Sequence, residues 1–182
     1  MPKFSRNKGF TLIELLIVIA VMAILATVVF VALNPMARFQ DSRNARRWTD
    51  VNSILQAIKL LQVDAKGGYP QNVQNKPASD TAYYQIGNSD TGCALTCTAS
   101  GITTEDSCVS LTGGLVSAEA INGVTVPGGY LSAVPIDPNA TGATADRTGY
   151  FFKRATNGVI TIGACTPEQG SDADVMPISV SR

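Results

Sequence analysis

The chain has 182 residues, about one domain in length, with 14 Lys plus Arg, 14 Asp plus Glu and no His. Zero net charge argues against a dedicated nucleic-acid binder, and the missing imidazole removes His-based triads and every zinc site with a His ligand. Hydrophobic residues make up 45% and charged ones 15%, which excludes wholesale disorder. The first nine residues contain Lys3, Arg6 and Lys8 and no acid. Residues 10–33 then read FTLIELLIVIAVMAILATVVFVAL, with Glu14 as the single charge.

A helix of that length spans roughly 36 Å, enough to cross a hydrocarbon layer of about 30 Å. The run is too long for a secretory signal peptide, whose apolar region covers about 7–15 residues. A simple anchor would not carry Glu14, because an acid inside a membrane helix costs about 2.5–3.5 kcal/mol. No basic residue follows it within a turn or two. Cleavage between Gly9 and Phe10 would create an α-amino group near Glu14, cationic at neutral pH with a pKa of about 8.

The segment KGFTLIELLIVIAV resembles the class III signal of type IV pilins and of the pseudopilins of type II secretion, and the likeness covers about residues 6–35. It implies that a prepilin peptidase cuts after Gly9 and that Phe10 becomes N-methylated. It also implies that Glu14 pairs with the N-terminal amine of a neighbouring subunit during filament assembly. The implied partners are copies of the chain itself, the peptidase, an assembly ATPase and a platform membrane protein. The implied location is the inner or cytoplasmic membrane, then a cell-surface or periplasmic filament. Arg38, Arg43, Arg46 and Arg47 follow the apolar run, so charge counting does not orient it. The resemblance places the leader in the cytoplasm.

Asn34-Pro35 interrupts the helical pattern, and a kink or local unwinding is expected there. Trp48, Val51, Ile54, Leu55, Ile58 and Leu61 then recur at spacings of three and four, one apolar stripe of a helix. Gly67-Gly68 stops it and Tyr69-Pro70 prevents continuation. The arginine run reads as a solvated face paired with Asp41 and Asp50, in preference to a phosphate-binding patch. Without the leader 11 basic residues face 14 acidic ones, a net charge of −3 that favours this reading.

Residues 68–182 read as short strands between turns, at 81–87, 130–134, 149–154 and 159–163. Asn157-Gly158 supplies the residues of a type I′ hairpin. The fold class is therefore α+β: a long N-terminal helix on a small antiparallel sheet, as the pilin resemblance also implies. The expected division is a leader over 1–9, a membrane or filament-core helix over 10–34, its amphipathic continuation over 35–67 and a head over 68–182.

Cys93, Cys97, Cys108 and Cys165 lack paired C-x-x-C spacing, so two disulfides are preferred to a four-thiolate zinc site, with all three pairings open. The stretch VPIDPNATGATADRTGYFF resembles the Pro-x-Asp-Pro segment of major pseudopilins, whose following loop binds calcium. Asp137 and Asn139 match the start of an oxygen-ligand loop, and Asp146 adds a carboxylate. The twelfth position is Thr148 in place of the bidentate Glu, and the family's Trp-Gly is absent. An Asx-rich turn without an ion is the preferred reading, with calcium the alternative. Asn139-Ala140-Thr141 is a weak glycosylation sequon.

No constellation indicates an enzyme. The function expected is a structural subunit of a type IV pilus or type II secretion pseudopilus. The alternative is a minor pilin that binds DNA, a surface or a secreted substrate, for which no aromatic and basic cluster is visible.

Overall fold

A computed structural model describes residues 9–89, 91–93, 95, 97, 104–172 and 174–182, with the side chains of 104–107 left aside. Lys3, Arg6 and Lys8, assigned above to the expected leader, lie outside the described residues. Two helices open the chain, α1 (Leu12–Leu33) and α2 (Pro35–Asp64). Between them stands Asn34 alone, in the left-handed region at φ 40°. Pro35 lacks an N–H, and its ring disfavours α backbone at the residue before it. Asn is among the few residues that accept left-handed backbone. Pro35 then serves as the first residue of α2, where its fixed φ is no penalty.

None of α1 is buried, whereas α2 lays Val51, Ile54, Leu55, Ala57, Ile58 and Leu61 on the head. Trp48, expected in that stripe, is 42% exposed, and Arg47 is buried in its place. Both positions lie one turn before Val51, so helical spacing admits either. The head decides by presenting carboxylates to Arg47. Lys66 and Gly67 turn left-handed after α2, and the Gly67 N–H donates to the carbonyl of Gln62 at 2.7 Å. The helix therefore ends where the Gly pair lies.

Among the described residues the head holds seven strands: β1 (Tyr83–Gly87), β2 (Thr104–Ser110), β3 (Glu119–Ile121), β4 (Val124–Val126), β5 (Tyr150–Arg154), β6 (Ile160–Ala164) and β7 (Ser179–Ser181). Five form a sheet in the order β2-β1-β5-β6-β7, and β3-β4 is a separate hairpin. The sheet is mixed and not purely antiparallel, because β1 and β2 run parallel with Ile86 beside Val109. A parallel pair needs a crossover of a dozen or more residues, and 16 residues separate β1 from β2 along the chain.

Residues 130–134 form no strand. Gly128 and Gly129 have positive φ, and the N–H of Leu131 donates to Leu115 across a loop. The type I′ turn sits at Asn122-Gly123 between β3 and β4, where both residues have φ above 50°. At Asn157-Gly158 only Gly158 has positive φ, and its N–H donates to Ala155, a type I turn closed by a left-handed Gly.

The core sits between α2 and the sheet, where Ile54, Ile58 and Leu61 meet Ile86, Tyr150, Phe152, Ile160 and Ile162. Each such buried side chain contributes about 1.5–3 kcal/mol. The cysteines pair as Cys93–Cys108 and Cys97–Cys165, which settles the open connectivity and removes the zinc alternative. Together the bridges tie the crossover to β2 and to the residue following β6.

Candidate functional site

Two groups of residues stand apart from ordinary packing. The first is at the start of α1, where Gly9 and Phe10 are exposed and Thr11 is the N-cap. The Glu14 carboxylate turns back to accept the Thr11 N–H at 2.8 Å and the Thr11 hydroxyl at 2.7 Å. The Glu14 N–H in turn donates to the Thr11 hydroxyl oxygen at 3.3 Å. This reciprocal box satisfies two of the helix's orphan donors, and the helix dipole favours an anion there. It leaves the carboxylate within one turn of Phe10, on a helix with no other charge and no buried residue.

The second group joins α2 to the head. Arg47, 1% exposed, donates from Nε to Asp137 Oδ2 at 2.7 Å and from Nη2 to Asp137 Oδ1 at 2.8 Å. Its Nη1 reaches Glu168 Oε2 and Asn44 Oδ1, each at 2.8 Å. Arg43, one turn earlier, forks onto the same Glu168 at 2.8 and 2.5 Å. Burial works against the Arg47 charge, but the bonds to Asp137 and Glu168 outweigh it and hold the guanidinium above its ordinary value. Hydrogen bonds from Arg43 hold the Glu168 carboxyl below the usual range. Tyr150 donates to Asp50 at 2.7 Å, and burial first, then this bond, pushes its phenol up.

The arginine run thus divides. Arg38 and Arg46 follow the expected helical pairing, with Asp41 at 3.8 Å and Asp50 at 3.9 Å. Arg43 and Arg47 turn inward, a correction to the solvated face. Spacing cannot reveal this, because Glu168 lies over 120 positions away. The available hint was Arg47 at the edge of the apolar stripe.

Both oxygens of Asp137 face a guanidinium, and Oδ1 also accepts the N–H groups of Asn139 and Ala140 at 2.9 and 2.8 Å. Asn139 donates from its side chain to Glu168 at 3.2 Å, while Asp146 is exposed. A calcium ion needs free oxygen ligands, and a buried cation already occupies those of Asp137. Among the described residues no group of three His, Cys, Asp or Glu side chains is placed to hold a metal.

Comparison with known families finds the prokaryotic N-terminal methylation motif over residues 4–30, the prepilin-type signal of type IV pilins and pseudopilins. No curated protein and no solved structure matches the chain. The signal points to a structural precursor and not to an enzyme.

Proposed function

We propose that this pilin-like precursor is processed by a prepilin peptidase between Gly9 and Phe10, methylated on Phe10, and polymerised into a type IV pilus or a type II secretion pseudopilus. The observation that carries this reading is α1: a helix of 22 residues, apolar but for Glu14 and Thr27, wholly exposed, behind a prepilin-type signal. At 1.5 Å per residue α1 is about 33 Å long, the thickness of a hydrocarbon layer. Before assembly the helix rests in the inner or cytoplasmic membrane with the leader, residues 1–9, in the cytoplasm. Residues 10–34 serve as anchor and later as filament core, 35–67 join that core to the head, and 68–182 form the head.

Leaving lipid for a filament exchanges one apolar surround for another, so packing and polar pairing drive association. Thr11 supplies hydrogen bonds to Glu14 but no charge. The amine made by cleavage supplies the charge, and a subunit out of register leaves a carboxylate uncompensated at low dielectric. An assembly ATPase and a platform membrane protein would extract and stack the subunits, and the filament would stand in the periplasm or on the cell surface.

The test is Glu14→Val in the full chain, with mass spectrometry of the N-terminus and recovery of sheared filaments. The variant is expected to insert and to be cleaved before Phe10, but to yield no filaments. Normal filaments from the variant, or a native product that keeps its first nine residues, overturn the proposal.

A further inference from the structure

Past Phe39, six large apolar side chains are exposed among the described residues: Trp48, Leu60, Val63, Ile136, Val175 and Met176. Four of them form two pairs bordered by opposite charge. Leu60 and Val63 border a groove of about 330 Å³ between the C-terminal half of α2 and β7, which Leu55, Val180, Lys59 and Arg182 also line. Val175 and Met176 are 51% and 63% exposed, in the segment before β7, and the neighbouring Asp172 and Asp174 are exposed too. Lys59, Arg182, Asp172 and Asp174 make no ion pair among the described residues.

These two patches do not meet within one molecule. Ser171 is tied to Asp41 near the start of α2, its N–H donating at 2.9 Å. The groove flanks Asn52 to Val63. Asp172 and Met176 lie beside the stretch from Asp41 to Trp48, and from Trp48 to Lys59 the helix advances about 17 Å. The two patches therefore do not neutralise each other on one chain.

We infer that the groove beside Lys59, Leu60 and Val63 takes the acidic, apolar segment bearing Asp172, Asp174, Val175 and Met176 of a second copy, displaced along α2. This rests on the filament reading and names a head contact within it. Two different patches that meet head to tail make a heterologous contact, which propagates as an open helix. Anchorage of both α1 helices in one membrane keeps the copies parallel and forbids the antiparallel pair that would close the contact.

The test uses the full chain in cells that assemble it, with sheared filaments weighed against total subunit. Lys59→Glu with Arg182→Glu, or Asp172→Lys with Asp174→Lys, places like charges together and is expected to lower the filament yield about tenfold. All four changes together restore complementarity and are expected to return it to within about twofold of the parent. Unchanged yield from either pair, or no recovery in the combination, overturns the contact. A photoreactive residue at position 60 of the otherwise unaltered chain covers the case of misfolded charge variants. In the crosslinked dimer it is expected to join two copies at residues 172–176 of the tryptic peptide 155–182, and attachment between copies at any other residues overturns the contact. If the unaltered chain forms no filaments, the filament reading itself fails. If it does, and neither rescue nor that adduct appears, only this contact fails.

Discussion

Replacing Arg47 by Met keeps most of the buried stem and removes the guanidinium. Asp137 then loses both side-chain donors, at 2.7 and 2.8 Å, and keeps only the N–H groups of Asn139 and Ala140. Glu168 is less affected because Arg43 still forks onto it. Removing one member of a buried ion pair costs about 3–5 kcal/mol, since the other charge remains without compensation. For a chain of this size each kcal/mol moves the unfolding midpoint by about 2–4 °C, so Arg47→Met is expected to lower it by about 6–20 °C. Circular dichroism of the full chain in detergent reads the change. Adding Asp137→Asn removes the stranded charge, and the double variant is expected to regain part of the loss, a coupling that independent sites would not show. Arg47→Lys is expected to fall between, because an ammonium cannot reproduce the planar two-pronged contact. A loss below about 2 °C for Arg47→Met, or a double variant no better than the sum of the singles, refutes the staple as a buried, coupled pair.

Acid is expected to weaken the same junction. Glu168 has a folded pKa below its unfolded value, so its contribution is present above about pH 4.3 and is lost as the pH falls through the folded value. A midpoint that does not fall faster below about pH 4 in the parent than in Glu168→Gln counts against this role. Non-reducing peptide mapping is expected to find Cys93 with Cys108 and Cys97 with Cys165. The second bridge closes a loop of 68 residues, and replacing both its cysteines by Ser is expected to cost about 4 kcal/mol. Calcium is expected to leave the unfolding midpoint unchanged. Stabilisation of about 2.7 kcal/mol at a hundredfold excess over Kd would place an ion on the loop with Asp137, Asn139 and Asp146.

The N-terminal third was legible because its features are local. An unbroken apolar run with one acid, a Pro that ends a helix and a Gly pair that stops the next act within a few residues of themselves. They specify α1, the break at Asn34 and the end of α2 without help from the rest of the chain. Strands β1, β5 and β6 were visible for the same reason, as short runs of β-branched and aromatic residues. What the order of residues left open depended on distant partners. Arg47 rather than Trp48 faces inward because Asp137 and Glu168 arrive from the head to compensate its charge, and helical spacing permits either residue. The parallel pairing of β2 with β1 depends on where the crossover sets the strand down, and the choice among three disulfide pairings depends on which sulfurs that path brings together. Even the two Asn-Gly pairs, alike as dipeptides, separate by the strands they join: a two-residue link demands positive φ at both positions, and a longer one only at its final Gly.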